Sequence, residues 1–536
     1  METKKQILKL CMQKGFLLDK DILEALAVLE ENFAKKIIEI LSSLKIKERV
    51  ITKSVFESYV SSLKKMLLLE ENKREIETFF QGLGYEVGEF KGESKKEEKY
   101  KEKDEIKIIS SGMVFPKKVE VQDFVKHYRS RYEMLKNILQ SRNLENLKSL
   151  RRLSDERETQ HVIVAIAEKR ITKNKNLIFE VEDMTGRSRI LINANKEELY
   201  AKCKDILSDD IVAFNVAGTK EMLFANEVIF PDAVLSEKRK QEREVLIAFS
   251  SDVHVGSKMF LEDNFLKFIK WLNGEEGDEK QRILAKKIKY LLLVGDNVDG
   301  IGVFPDQEKL LKIFEITEQY KKLADLLKLI RKDIKIIICP GQHDAVWVGE
   351  PQPAIGENWA PDLCKMENVC LVTNPCMIEI EDGFKILMYH GASFHGIIEE
   401  MNDIRVNFGH NSPTTVVKEL LKRRHLAPVH GSSDYVPNET KDPLVIDIIP
   451  DIVATGDLHK PEVSTYNNIL LVASSCWQSI TPFEEKVGNN PDPCKVPIFN
   501  LKTREIKILD FSDEETEGSK LEGEKVISEN KVEVKS

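Results

Sequence analysis

At 536 residues the chain is longer than one ordinary domain, so three or four folded units are expected. Its composition, 42% hydrophobic and 32% charged, excludes a fibrous or wholly disordered chain. The formal net charge of −9 means that any contact with nucleic acid needs a local basic patch. No stretch approaches the roughly 20 apolar residues of a spanning helix, and the first residues lack the apolar core of a signal sequence. We therefore expect a cytoplasmic protein with no membrane partner.

The first third of the chain contains two helical blocks separated by a charged segment. Residues 1–80 are predicted to form a helical domain, because apolar residues recur three and four positions apart, as at Ile22, Leu26 and Leu29. Docking of a partner and a purely structural role both remain open for this domain. Residues 81–120 mix Lys and Glu without apolar periodicity and are predicted to be a flexible linker. Residues 121–155 are predicted to be a helical connector.

Residues 156–240 change to the period of β-strands. Five short runs rich in β-branched and aromatic residues follow one another, and a helical segment lies between the third and the fourth. Three strands, a helix and two strands is the order of an OB-fold β-barrel. Few aromatic residues stand beside basic ones in these runs, so a docking role is favoured over sequence-independent binding of single strands.

Residues 241–511 alternate apolar strand-like runs with helical segments, as in sheets that are buried on both faces. The last segment, 512–536, is polar and is predicted to be a disordered acidic tail. Carboxylates and histidines directly follow five of the predicted strands, where open α/β sheets place their sites. These polar groups are Asp252 and His254, Asp296, Gln342 with His343 and Asp344, His390, and Asp457 with His459.

The residue types at these strand ends are those of a metal centre. Asp252 and His254 are two positions apart in an extended segment, so both side chains point the same way and can grip one ion. A carboxylate such as Asp296 can bridge two ions. Mixed carboxylate and imidazole ligands suit Mn, Fe or Zn better than Ca. Two ions roughly 3.5–4 Å apart can activate water and stabilise an in-line displacement at phosphorus.

The set D-x-H, GD, a block G-Q-H-D, H and a block G-D-x-H resembles the calcineurin-like metallophosphoesterases. With a barrel ahead of it, and with the segments LKRRHLAP and VIDIIPDIVATGDLHK, the chain resembles the small subunits of archaeal family D DNA polymerases. The resemblance implies a multidomain α+β protein. Its parts are an N-terminal helical domain, an OB-fold barrel and a C-terminal calcineurin-like α/β phosphoesterase with a two-sheet core. It also places the protein at the archaeal nucleoid.

The resemblance further implies a 3′–5′ proofreading exonuclease that acts on DNA 3′ ends in a heterodimer with a large catalytic polymerase subunit. Two divalent ions are implied, with Mn²⁺ expected ahead of Fe²⁺, Zn²⁺ or Mg²⁺. Carried over by position, the ligands of the first ion are Asp252, His254, Asp296 and His459. Those of the second ion are Asp296, Gln342, His390 and Asp457. His343, oriented by Asp344, is expected to protonate the leaving 3′ oxygen.

Two positions depart from the superfamily pattern: Gln342 stands where Asn is usual, and Asp457 where the first His of G-H-x-H is usual. Both changes concern the second ion and are expected to alter its affinity and metal preference. Outside these blocks, His395, Arg423 and Arg424 are candidates for contact with DNA; a loop histidine and a solvated helix end are the structural alternatives.

Two other functions compete with the exonuclease. One is a non-catalytic scaffold subunit of a DNA polymerase, against which the retained metal ligands argue. The other is a stand-alone metal-dependent phosphodiesterase or repair nuclease, against which the barrel, helical domain and linker argue. The sequence contains no G-x-x-x-x-G-K-[ST] motif, so polymerisation is not expected from this chain.

Overall fold

The computed structural model divides the chain into two compact units, Met1–Glu102 and Lys103–Ser536. It describes residues 2–14, 16–27, 29, 33–35, 37–38, 41, 50–51, 106–111, 118–153, 158–381, 383–438, 440–512 and 525–528. In this division the barrel and the α/β region belong to the same unit. Among the described residues, no helix is long and apolar enough to cross a membrane.

The first unit contains helices Glu2–Gln13 and Lys20–Ala27. Strand β1 (Leu17–Leu18) pairs in parallel with β2 (Val50–Ile51), which the helical prediction did not include. The predicted apolar face is buried here, with Ile22 fully inaccessible to solvent. Residues 52–80 of the predicted helical domain lie outside the described residues.

The second unit begins with an edge strand and a long helix. Strand β3 (Lys107–Ser111) pairs antiparallel with a later strand of the α/β region. It lies within the predicted linker 81–120, so the linker prediction does not hold for these five residues. Helix Val121–Gln140 then packs on the barrel, where the Tyr132 hydroxyl donates to the carbonyl of Ile163 at 2.9 Å. A short 3₁₀ helix, Leu150–Arg152, leads into the barrel.

The barrel is closed and has the element order predicted from the sequence. Its strands are β4 (Gln160–Ile171), β5 (Leu177–Asp183), β6 (Gly186–Ile192), β7 (Ile211–Thr219) and β8 (Met222–Ile229), joined in the order β4-β5-β6-β8-β7. Helix Glu197–Lys204 lies between the third and the fourth strand. Alternate residues of the strands, such as Val162 and Val164, point inward and form an apolar core.

The α/β region is built on two sheets. The seven-stranded sheet has the order β12-β11-β10-β9-β18-β19-β20, and the six-stranded sheet has the order β16-β17-β15-β14-β13-β3. The strands of the first are β9 (Leu246–Ser250), β10 (Ile288–Val294), β11 (Lys335–Cys339), β12 (Val369–Leu371), β18 (Lys495–Asn500), β19 (Glu505–Asp510) and β20 (Lys525–Ser528). Those of the second, besides β3, are β13 (Cys376–Ile380), β14 (Phe384–Met388), β15 (Ile452–Thr455), β16 (Glu462–Tyr466) and β17 (Ile469–Ala473).

Alternation along the central strands explains why both faces of the sheets are apolar. In β9, Ile247 and Phe249 belong to the core between the sheets, whereas Leu246 and Ala248 pack under the outer helices. The helices of this region are Glu262–Leu272, Glu279–Lys286, Ile316–Leu327, Pro361–Cys364, Phe394–Glu400, Asn402–Asn407, Pro413–Arg423 and Pro482–Val487, with 3₁₀ turns at Gln307–Lys309 and Gly409–Asn411. Strand β20 lies in the segment predicted as a disordered tail, so that prediction fails for its four residues.

Candidate metal centre

The predicted ligands meet where strands of both sheets end. Asp252, Asp296 and Gln342 follow the neighbouring parallel strands β9, β10 and β11 of one sheet. His390 and Asp457 follow the neighbouring parallel strands β14 and β15 of the other sheet. The carboxyl ends of parallel strands lie at the same edge, and the two sheets bring their edges together around one cluster.

The backbone at this edge turns sharply. Five predicted ligands have left-handed backbone with φ between 46° and 70°, namely Asp252, His254, Asp296, Asp457 and His459. This conformation costs a non-glycine residue about 1–2 kcal/mol and is concentrated at functional sites. Glycine is needed beside them: a Cβ on Gly341 would lie 2.2 Å from an Asp296 carboxylate oxygen, and one on Gly295 would lie 2.1 Å from His390 Nδ1.

Three histidines of the cluster are held through Nδ1, which leaves Nε2 for the centre. Nδ1 of His390 donates to the carbonyl of Val294 at 2.8 Å, and Nδ1 of His459 donates to Glu484 Oε1 at 2.8 Å. Nδ1 of His343 donates to the carbonyl of Asp299 at 2.7 Å. Such outer contacts fix the tautomer and the ring orientation of metal-binding histidines.

His254 lies close to Asp299 without a hydrogen bond from its Nδ1 among the described residues. Its Nδ1 lies 3.3 Å from Oδ1 of Asp299, and its Nε2 lies 4.0 Å from Oδ2 of Asp296. Asp299 is itself held by Gln307 and Gln478, whose amides donate to its two carboxylate oxygens. Asp299 therefore lies against two histidines: its side chain is close to His254, and its carbonyl accepts from His343.

The four Nε2 atoms converge on two buried carboxylates. Oδ2 of Asp296 lies 3.3 Å from Nε2 of His390 and 3.9 Å from Nε2 of His343, and Oδ1 of Asp252 lies 3.4 Å from Nε2 of His459. Burial alone would raise the pKa of Asp296, but the charges of His390 and His343 outweigh it and hold that pKa well below its usual range. Burial lowers and Asp296 raises the pKa of His390, and the net direction is upward. The carboxylates thus attract positive charge at this point.

The buried polar atoms without partners indicate what the cluster accommodates. Oδ1 of Asp252, Nε2 of His254, Nε2 of His390 and Oε1 of Gln342 are buried without a hydrogen-bond partner among the described residues. Ligand atoms of Asp252, His254 and His459 lie within 4.8 Å of one another, and so do those of Asp252, Asp296 and His390. Unpaired buried donors and acceptors are costly unless an ion satisfies them. The residues present therefore fit divalent metal ions.

The two departures from the superfamily pattern are in contact with each other. Nε2 of Gln342 donates to Oδ1 of Asp457 at 3.1 Å, so the amide nitrogen is occupied and its oxygen is left free. Oδ2 of Asp457 is also buried without a hydrogen-bond partner among the described residues. Gln342 and Asp457 therefore together offer oxygen atoms as possible ligands next to His390. His395, whose side chain is half exposed, lies at the mouth with Nε2 3.5 Å from Asp457 Oδ2.

Asp344 does not orient His343, contrary to the prediction. Its carboxylate accepts from the Tyr320 hydroxyl at 2.8 Å, from the backbone of Gly341 at 2.9 Å and from the side chain of Asn297 at 3.0 Å. These contacts fasten the loop after β11 to the loop after β10. Asp344 therefore shapes the loop that carries His343, and the carbonyl of Asp299 orients the ring.

Arg423 and Arg424 are buried, which corrects the prediction that they contact DNA. Nε of Arg423 donates to Oδ1 of Asp210 in the barrel at 3.0 Å, and Nη2 of Arg424 donates to the carbonyl of Asp447 at 2.9 Å. Their exposed fractions are 3% and 4%, so neither guanidinium is presented to a phosphate. They join the helix Pro413–Arg423 to its neighbours.

Sequence reasoning missed two residues that position histidines. Asp299 follows Asp296 by three residues, and its sequence position alone indicates a turn residue. Glu484 lies outside the strand-end blocks, at the start of helix Pro482–Val487, where it forms a capping box with Thr481. The sequence T-P-F-E indicates a helix cap. It does not indicate that Glu484 also accepts a hydrogen bond from a distant histidine.

Carboxylates and imidazoles converge at the strand ends of a two-sheet α/β region. This combination of fold and site defines a protein with a candidate metal centre. Residues 247–464 match the model of the DNA polymerase alpha/epsilon B-subunit family. The matched range starts in β9 and ends in β16, so it contains every predicted ligand, whereas the supporting residues Gln478 and Glu484 lie outside it.

The relatives are small subunits of archaeal DNA polymerases. The chain is 38% identical over 398 residues to the DNA polymerase II small subunit of Methanothermobacter thermautotrophicus, which covers 73% of this chain and 80% of that protein. It is 38% identical over 393 residues to that of Archaeoglobus fulgidus, covering 73% and 78%. With the Pyrococcus furiosus subunit it shares 35% identity over 398 residues, or 64% of that protein. The chain belongs to the family of DNA polymerase II small subunits, which confirms the predicted resemblance.

Solved structures with similarity to part of the chain include an archaeal phosphodiesterase at 16% identity and TM-score 0.24, covering 49% of this chain and 99% of that one. A second is wild-type Vps29 of Entamoeba histolytica complexed with Zn²⁺, at 14% identity and TM-score 0.23, covering 49% and 90%.

Proposed function

We propose that the chain is the 3′–5′ exonuclease subunit of a DNA polymerase and hydrolyses the 3′-terminal phosphodiester in a calcineurin-like phosphoesterase domain formed by residues 241–511. The observation that carries the proposal is the convergence of four Nε2 atoms on the buried carboxylates of Asp252 and Asp296, where Oδ1 of Asp252 has no hydrogen-bond partner among the described residues. A scaffold has no need of this arrangement, because it leaves buried polar atoms without partners. Membership of the family supports a heterodimer with a large catalytic subunit.

The donor set accommodates two ions. Asp252, His254, Asp296 and His459 would hold the first, and Asp296, His390, Gln342 and Asp457 the second. Mn²⁺ is the proposed ion, since the set mixes imidazole with carboxylate and amide oxygen. Such ions, when bound, supply charge stabilisation at the phosphate oxygens and lower the pKa of water. Asp252 has ligand atoms in both of the 4.8 Å groups described above and Asp296 in the second, so the two carboxylates would support the two sites together.

His343 has the geometry of a proton donor. Its Nδ1 donates to the Asp299 carbonyl, so the protonated ring keeps the Nε2 proton facing the centre. Water adds to phosphorus and releases a proton to solvent, the bond from phosphorus to the 3′ oxygen of the penultimate nucleotide breaks, and Nε2 gives its proton to that oxygen. His343 then takes a proton back from solvent. The products are a nucleoside 5′-monophosphate and a strand one residue shorter that ends in a 3′ hydroxyl.

Digestion of a 5′-labelled single-stranded DNA by the full-length chain with Mn²⁺ tests this function. We expect a ladder that shortens from the 3′ end and is lost in EDTA. Asp296→Ala is expected to reduce the rate by at least about a hundredfold, the cost of losing one group that stabilises developing charge. Asp306→Asn, a change at an acid whose side chain is 72% exposed, is the matched control and is expected to keep the rate. Absence of cleavage both alone and with the large subunit would refute the proposal.

A further inference from the structure

An apolar cleft of about 860 Å³ opens beside the candidate metal centre. Gln342 and His343 line it, so the cleft and the centre share a wall. On the other sides it is lined by Ile301, Val348 and Trp359, which expose 48%, 55% and 45% of their surface. Large apolar side chains that remain this exposed around one concavity mark a binding site.

The wall that carries Trp347 is fixed by hydrogen bonds. Nε1 of Trp347 donates to the carbonyl of Pro351 at 2.7 Å, and the buried Gln352 amide donates to the carbonyls of Trp347 at 3.2 Å and Gly341 at 3.3 Å. Gln352 also pairs with Asn374, whose side-chain oxygen accepts from the backbone of His390. These hydrogen bonds therefore fix the position of this cleft wall relative to His390, a predicted metal ligand.

The opposite wall is fixed in the same way. The side chain of Gln319 accepts from the backbone N–H of Gly300 at 2.9 Å and donates to its carbonyl at 3.1 Å. The ring of Phe304 lies 6.1 Å from that of His343, measured between centroids. Both walls are thus preformed, which reduces the entropy lost when a ligand binds.

The lining suits a flat neutral group. Among the described residues that line the cleft there is no lysine or arginine, and the only acid is Asp344, whose oxygens are occupied by internal donors. Apart from His343 on the wall shared with the metal centre, a phosphate finds no countercharge among these residues. A nucleobase finds an exposed indole at Trp359, and stacking on aromatic side chains tolerates any base.

We propose that the cleft holds the nucleobase of the penultimate nucleotide, stacked on Trp359. This inference rests on the proposed exonuclease function. His343 lines the cleft and gives its proton to the 3′ oxygen of that nucleotide, so the sugar bearing this oxygen stands over the cleft. After hydrolysis this nucleotide is the new 3′ terminus, so the cleft retains the shortened strand while the monophosphate leaves.

Three 5′-labelled single strands test the inference: one intact, one with an abasic analogue at the terminal position and one with it at the penultimate position. With the full-length chain and Mn²⁺ we expect the penultimate abasic strand to be cleaved about tenfold more slowly than the intact strand, as loss of one stacking contact predicts. Trp359→Ala is expected to slow the intact and terminal-abasic strands by a similar factor and to leave the penultimate-abasic strand within about twofold. Trp359→Phe should restore most of the loss.

The penultimate-abasic strand also reports that the variant is folded, and Phe224→Ala, an exposed aromatic in the barrel, is the matched control. Equal rates on all three strands with wild-type protein would overturn the cleft assignment while leaving the exonuclease intact. Sensitivity to the terminal base alone would also overturn it. The assignment would also be overturned if Trp359→Ala slowed cleavage of all three strands equally and weakened binding of the large subunit. That result would make the cleft a protein interface. No cleavage by wild-type protein, alone or with that subunit, would refute the exonuclease as well.

Discussion

Glu484 shows how a residue outside the predicted ligand set controls one within it. Its Oε1 accepts from Nδ1 of His459, and its Oε2 accepts from the hydroxyl of Thr481. One carboxylate therefore caps a helix and aims an imidazole at the candidate metal centre. The pKa of Glu484, which burial would raise, is lowered by its hydrogen bond with His459.

Glu484→Ala is expected to weaken Mn²⁺ binding by roughly ten- to a hundredfold, the usual cost of removing an outer partner of a ligating histidine. Glu484→Gln retains an acceptor for Nδ1 and should lose less. Titration of Mn²⁺ by calorimetry measures the affinity directly. Exonuclease rates at saturating Mn²⁺ should recover in both variants; a rate that stays low at every Mn²⁺ concentration would contradict a positioning role.

At the scale of elements, the segment that carries Glu350 joins the cleft wall to the loop after the helix Pro413–Arg423. The backbone of Glu350 donates to the carbonyl of Asp434, and its own carbonyl accepts from Val436 at 2.7 Å. The buried carboxylate accepts from the Tyr389 hydroxyl at 2.9 Å. Burial raises the pKa of Glu350 to about 8.

This raised pKa makes stability depend on pH. The folded state keeps a proton that the unfolded state has lost above about pH 4.5, so the stabilising contribution is complete below that pH and disappears as pH rises through about 8. In metal-free protein, Glu350→Gln should therefore gain stability relative to wild type across this window, by up to about 1.4 kcal/mol for each unit between the two pKa values. Denaturant unfolding at pH 5, 7 and 9 measures the difference. A difference that does not change with pH would refute the assignment.

The strands were predictable where burial on both faces leaves continuous apolar runs, as in β9, β10 and β11. The strand-end ligands were predictable for the same reason, since a polar residue directly after such a run stands out. Strands β3 and β20 were not, because they are short edge strands in charged segments and are specified by their pairing partners. Asp299 and Glu484 act through contacts that sequence spacing does not encode.

At the scale of the whole molecule, the position of the barrel on the α/β region is set by contacts between segments distant in sequence. Arg423 illustrates this, because the local sequence around an arginine near a helix end predicts contact with solvent or with phosphate. In the structure its guanidinium instead pairs with Asp210, 213 residues earlier, and packs 5.9 Å from the ring of Phe230. Such a partner is specified by tertiary packing and was beyond prediction from one sequence.

Arg423→Ala is expected to lower the free energy of unfolding by about 3–5 kcal/mol, because it leaves the buried Asp210 carboxylate without its partner. The double variant Asp210→Asn with Arg423→Met removes both charges and keeps the oxygen that accepts from the backbone of Leu207, so it should lose less than the sum of the single changes. Arg187→Ala, at a side chain that is 83% exposed, should leave stability unchanged.

The same variants separate a structural Arg423 from one that contacts DNA. A residue that binds phosphate contributes to the slope of log affinity against log salt, and its removal lowers that slope by about one. For Arg423→Ala, measured on single-stranded DNA at a temperature where the variant is folded, we expect the slope of the wild-type protein. A slope reduced by one, with stability unchanged, would restore the DNA-contact interpretation. The buried pair with Asp210 leads to the opposite result, a large loss of stability without a change in salt dependence.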